Sequence, residues 1–170
     1  MNIRSLFTAC LGSALLLSGC GYHLGGLRCM ALKNMDTFCV NMFSNHTTQP
    51  NVAMQMTTAL TNALQRDGSF RMASPSECDC KVDGTVRRIT RDALATDSDD
   101  TYISSEIGLT VHVAYRVTDT RTNKILVQGE TIAEASYFNT EGNTQTSRAA
   151  ALSYATRKAA DNIVYQLTIP

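Results

Sequence analysis

Six cysteines, three histidines and one cluster of arginines hold most of the reactive side chains in this 170-residue chain. The cysteines are Cys10, Cys20, Cys29, Cys39, Cys78 and Cys80. Structural zinc sites favour two to four residues between paired ligands. Here one residue separates Cys78 from Cys80 and nine separate Cys29 from Cys39, which argues against a metal. A thioredoxin-like redox centre needs Cys-x-x-Cys, which is absent. His23 falls in a glycine-rich stretch, His46 in a turn and His112 on an alternating strand. No Gly-x-Ser-x-Gly, His-Glu-x-x-His or phosphate-loop pattern accompanies them, so all three are expected to be solvated and the chain reads as a non-enzyme. Asp97-Ser98-Asp99-Asp100 does not open an EF-hand, because Tyr102 falls where Gly is needed and Gly108 where Glu is needed. Arg87, Arg88 and Arg91 remain. Guanidinium forks match phosphate oxygens in bidentate fashion. These three close a strand and run into an acidic stretch, so Asp92, Asp97 and Asp99 compete with phosphate for them.

The residues before Cys20 read MNIRSLFTACLGSALLLSG. One early Arg, an apolar middle and small residues at the end have the layout of a secretory signal. The apolar run is nearer a dozen residues than the roughly 20 that span a bilayer. Leu17-Ser18-Gly19-Cys20 resembles the lipobox of bacterial lipoproteins. That resemblance implies cleavage after residue 19 and lipidation of Cys20, which would carry a diacylglycerol and an N-acyl chain; no other cofactor is expected. Gly21 stands where an Asp would favour inner-membrane retention, which points to the outer membrane.

Without the first 19 residues, 151 remain, with 14 basic against 15 acidic side chains. That length suits one domain with a proper core. The near-neutral balance argues against nucleic-acid binding. The division is a signal peptide over 1–19, a lipidated tether over 20–35 and one α+β domain over 36–170. In an oxidising compartment Cys29, Cys39, Cys78 and Cys80 read as two disulfides. Cys78 and Cys80 are too close to pair, and on an extended strand they share a face. One bridge from each to Cys29 or Cys39 is therefore preferred.

Hydrophobic period sets the elements. Residues 37–43 alternate as a strand. Val52, Met56, Leu60 and Leu64, with Ala59 and Ala63, form the stripe of an amphipathic helix that has Pro50 in its first turn and stops at Gly68. A second strand is expected over 80–89 and a polar loop over 90–102. Residues 107–117 alternate most clearly, with one face on a core and one on water. A turn over 119–124 and a return strand over 125–138 make an antiparallel hairpin. A last helix over 147–166 shows Leu152, Ala155 or Tyr154, Ala159, Ile163 and Leu167 as its stripe. The order β-α-β-β-β-α predicts a two-layer α+β sandwich, a four-stranded mixed sheet with two helices on one face.

Several of these segments together resemble the LptE lipopolysaccharide-assembly lipoproteins. Gly21-Tyr22-His23-Leu24 follows the lipobox as in that family. Phe43-x-Asn45-x-Thr47-x-x-Pro50 precedes the first helix. Asp79-x-x-Val82-x-Gly84-x-Val86 matches a family strand, and the 119–126 turn matches Asp-x-x-Thr-Gly-Lys-x-Leu. Cys78 stands where Ala is usual and Asn123 where Gly is usual, and the four extra cysteines are not a family feature. The resemblance implies a non-enzymatic lipoprotein in the outer membrane. Its partners would be an LptD-like β-barrel, which it plugs and helps to assemble, and lipopolysaccharide, whose phosphates would meet Arg87, Arg88 and Arg91. The alternative from another class is a periplasmic interaction lipoprotein that regulates a cell-wall synthase or pilots a secretin.

Overall fold

The computed structural model describes residues 28–95, 105–139 and 144–169. The signal segment, Cys20, residues 21–24 and the aspartates of 97–100 lie outside the described residues.

Three long strands form the body of the sheet. β4 (Cys80–Ala95), β5 (Ser105–Asp119) and β6 (Ile125–Asn139) run antiparallel to their neighbours. Val82 pairs with Val117, Val86 with Val113 and Val111 with Ala133. These side chains are all buried. Alternate positions such as Arg116, Gln128, Glu130 and Glu134 are exposed on the other face, so one face meets a core and one meets water.

Short parallel strands complete the sheet. β1 (Thr37–Val40) pairs with β4 through Phe38–Cys80 and Val40–Val82. β2 (Ser44–Asn45) pairs with β4 further along, at Thr85 and Val86. β3 (Arg71–Met72) pairs with the outer side of β1. The strand order is β3-β1-β4-β5-β6, with β2 on β4, which makes six strands rather than four. β2 and β3 are two residues each, too short for a period to show. The α+β class and the single helix-covered face stand.

α1 (Val52–Asp67) joins β2 to β3, and α2 (Thr144–Thr168) returns from β6. All six predicted stripe residues of α1 are buried. Its start differs: Asn51 takes φ 62° as the capping residue, so Pro50 lies before the helix and not in its first turn. Gly68 ends it at φ 70°, donating its backbone N–H to the Leu64 carbonyl, as expected of a left-handed glycine cap. On α2, Leu152, Ala155, Ala159, Ile163 and Leu167 are buried, and Tyr154 faces out.

Residues 90–95 belong to β4 and not to a loop. They pair with β5, with a second irregularity between Ala93 and Ala95, although residues 91–94 are exposed, so backbone pairing holds them where no hydrophobic period could. In the turn after β5 the Asp119 carboxylate accepts backbone N–H bonds from Arg121 and Thr122. Asn123 takes φ 56°, a conformation glycine adopts freely and asparagine tolerates, which explains why Asn can stand there.

Two close fits lead to predictions. Phe43 is buried against Gly84, where an added Cβ would sit 2.0 Å from ring atom Cε1. Gly84→Ala should cost about 1–3 kcal/mol, read as a lower urea midpoint with unchanged m. Asp79 accepts the Thr37 hydroxyl at 2.8 Å and the backbone N–H groups of Thr37 and Asp36 at 3.1 and 3.2 Å. These bonds, the Thr37 hydroxyl first, hold its carboxyl below the ordinary value of 3.8. Its contribution to stability is complete above the unfolded pKa of about 4 and is lost as pH falls through the lower folded value. Asp79→Asn should therefore lower stability at pH 7 and flatten the acid limb of the melting-temperature profile.

Candidate functional site

The arginines predicted as phosphate contacts converge on a cleft of about 210 Å³ at the outer edge of β4. Past Val86, β2 has left that edge and β4 carries a bulge between Val86 and Arg88. The bulge adds Arg87 as an extra residue, so two consecutive arginines stand beside the gap. His46, Gln49 and Arg148 close the cleft. His46 follows β2 and stays at the edge because its N–H donates to the Val86 carbonyl at 3.0 Å. Arg148 comes from the first turns of α2 and donates to the Gln49 side-chain carbonyl.

Arg87 pairs with Glu130 across the open face, while Asp97 and Asp99 lie outside the described residues. Arg88 and Arg91 are exposed and make no ion pair among the described residues. The cleft thus brings the three predicted arginines together with a fourth that sequence spacing could not supply. Arg148 and His46 lie about sixty residues after and forty before the cluster, and only the fold joins them. Guanidinium groups with side-chain amide and hydroxyl neighbours are the donor set of a candidate anion site. A larger concavity of about 580 Å³ on the open sheet face is a poorer one, because its cations are matched: Arg87 by Glu130 and Arg116 by Asp83 at 4.0 Å. His112 lies on the open face opposite Arg88 in the ladder, outside the cleft.

The cysteines depart from the two-bridge expectation. Cys39 and Cys78 form a disulfide, which ties β1 to the segment before β4. Cys29 and Cys80 are free. β4 begins only at Cys80, and residues 74–78 form a turn closed by the Ser74 carbonyl, so Cys78 and Cys80 do not share a strand face. Cys80 sits in register with Phe38 inside the core, while Cys29 is held at the end of α2 by its N–H bond to Leu167. Burial first, then the charges of Asp119 and Asp79, push the Cys80 thiol up to about 12. A thiol neutral at pH 7 is neither a nucleophile nor a metal ligand in waiting. Among the described residues no three His, Cys, Asp or Glu side chains gather as a metal site requires. No described helix is long and apolar enough to cross a membrane.

The domain is thus a two-layer α+β fold with one sheet face left open and an arginine-lined cleft at its edge. Solved structures share the fold at low identity. A candidate lipoprotein from Caulobacter crescentus CB15 matches with a TM-score of 0.54 and 15% identity over 75% of this chain and 88% of that one. The hypothetical protein CT253 from Chlamydia trachomatis matches with a TM-score of 0.52 and 11% identity over 79% and 96%. No curated protein sequence matches the chain. The family is nevertheless defined: a model for lipopolysaccharide assembly, LptE, matches residues 35–167, and the chain belongs to that family.

The disulfide assignment is tested by mapping thiol labelling at Cys29, Cys39, Cys78 and Cys80. Of these four, the protein unfolded without reductant should label at Cys29 and Cys80, and with reductant at all four. Folded, Cys80 should resist iodoacetamide at neutral pH. Four reactive thiols in the unreduced protein would remove the bridge.

Proposed function

We propose that this protein is an outer-membrane lipoprotein, acylated at Cys20, that helps a LptD-like β-barrel to assemble, occupies its lumen and helps deliver lipopolysaccharide to the outer leaflet. Membership in the lipopolysaccharide-assembly family supports the process. The observation that carries the site is the pair of guanidinium groups without an ion pair among the described residues, Arg88 and Arg91, beside Arg87 and Arg148 in one cleft. Lipopolysaccharide bears phosphates, and guanidinium forks bind phosphate bidentately in a way lysine ammonium groups do not. The open sheet face also fits a barrel interior, which is polar: Arg116, Gln128, Glu130, Glu134 and Ser136 are exposed on it.

Two measurements test this reading. Affinity purification from membranes through a C-terminal tag should bring down an outer-membrane barrel. The double substitution Arg88→Glu and Arg91→Glu should weaken lipopolysaccharide retention by about tenfold or more, since each charge-assisted bond contributes about 1.5–3 kcal/mol. Its melting temperature should barely change, because both side chains are exposed. Absence of a barrel, or unaltered lipopolysaccharide retention, contradicts the proposal.

A further inference from the structure

Arg87 belongs to two places. Among the described residues it alone lines both the arginine cleft at the edge of β4 and the larger concavity on the open sheet face. It is the extra residue of the bulge between Val86 and Arg88, so its backbone stands at the rim of the cleft, outside the regular pairing. Its guanidinium group points elsewhere. It reaches over β5 to β6, where Nη1 donates to the Glu130 carboxylate at 2.5 Å. Two strand spacings, about 10 Å, separate β4 from β6. The path passes Ala114, which pairs with Glu130 in the ladder and lines the concavity, and whose methyl group leaves the room.

Charge explains why the side chain leaves the cleft. Arg88, Arg91 and Arg148 line it together with Arg87, and no acidic side chain does. A further guanidinium is repelled by its like neighbours, whereas Glu130 offers the opposite charge. That pairing is loose, because both side chains are exposed, Arg87 at 56% and Glu130 at 64%. A phosphate among the other arginines changes the sign of the local field. It attracts Arg87 back and accepts its planar fork as readily as a carboxylate does. One guanidinium cannot serve both, since Glu130 lies two strands away from the cleft.

We propose that Glu130 and a phosphate bound in the cleft compete for Arg87, so that Glu130, which never touches the anion, limits the affinity of the cleft. The coupling is reciprocal. Phosphate in the cleft frees Glu130 for a cation brought against the open face, and such a cation frees Arg87 for the phosphate. This coupling rests on the anion site of the proposed function. There the open face meets the polar interior of the barrel, so contact with that wall and retention of lipopolysaccharide at the edge strengthen each other.

Calorimetric titration of the detergent-purified protein with inorganic pyrophosphate, at fixed ionic strength, tests the competition. Glu130→Gln stands for a Glu130 already neutralised. It should tighten binding about two- to fivefold, the range expected when an exposed ion pair ceases to compete. Glu134→Gln removes the same charge from the same strand, at a position that makes no ion pair among the described residues, and should change the affinity little. An Arg87→Gln chain should bind more weakly than the parent, and adding Glu130→Gln to it should bring no gain. The three substituted side chains are exposed, so the fold should persist in every variant. No gain from Glu130→Gln, an equal gain from Glu134→Gln, or an undiminished gain in the Arg87→Gln chain overturns the competition while leaving the anion site standing. Failure of the parent protein to bind pyrophosphate removes the anion site, and the competition with it.

Discussion

β1 meets β4 over three ladder pairs, Phe38–Cys80, Cys39–Lys81 and Val40–Val82. Parallel pairing is slightly weaker per residue than antiparallel, and three pairs cannot hold a four-residue strand in place alone. Side chains supply the rest. Asp79 gathers the N–H groups that begin β1, the Asn41 amide donates to Asp83 at 2.8 Å, and the Cys39–Cys78 bond closes the joint covalently. A crosslink spanning 39 residues of sequence stabilises mainly by restricting the unfolded chain, by about 2–4 kcal/mol. The α1 half of the helix layer depends on this joint, while α2 packs on β6 and β5. α1 packs on β1, β3 and β4, and its Thr57 hydroxyl accepts the Phe43 N–H at 3.0 Å. The segment 46–49, which closes one side of the arginine cleft, runs from β2 into α1. If β1 left β4, that wall would have no support.

The long elements were legible because burial imposed a period on them. β5 alternates between the core and the open face from Leu109 to Val117, and the α1 stripe repeats every four residues, so both can be read without coordinates. The parts that were not legible are those where something other than burial decides. The last third of β4 is a strand because β5 offers it a ladder, although residues 91–94 are exposed. β1 stops at Val40, short of the alternating Phe43, because that ring turns into the core over Gly84. β2 and β3 are held by partners rather than by their own patterns.

The site divides the same way. Guanidinium groups at 87, 88 and 91 are a local cluster and visible as such. That Arg87 meets Glu130 depends on the strand pairing that places Glu130 across the open face, and Arg148 is an ordinary helix residue until α2 is docked. The cysteines mislead for a related reason. Proximity in sequence suggested that Cys78 and Cys80 behave alike, but the strand begins between them, so one enters a disulfide at the sheet edge and the other a sealed core.

Edge protection is the competing explanation for the arginines. Beyond Val86 the outer side of β4 faces no strand among the described residues. Such an edge is a template for unwanted pairing, and proteins blunt it with bulges and charged side chains, lysine above all. Both devices are here: the bulge at Val86–Arg88 and three cations. Yet an edge guard requires only charge in solvent. It does not require planar forks in place of ammonium groups, nor a fourth guanidinium brought in from α2 and oriented by Gln49. Nor would it be harmed by salt bridges, whereas Arg88 and Arg91 have none among the described residues. Convergence on one cleft is what an anion site demands and an edge guard does not, and the guard follows from it at no extra structural cost.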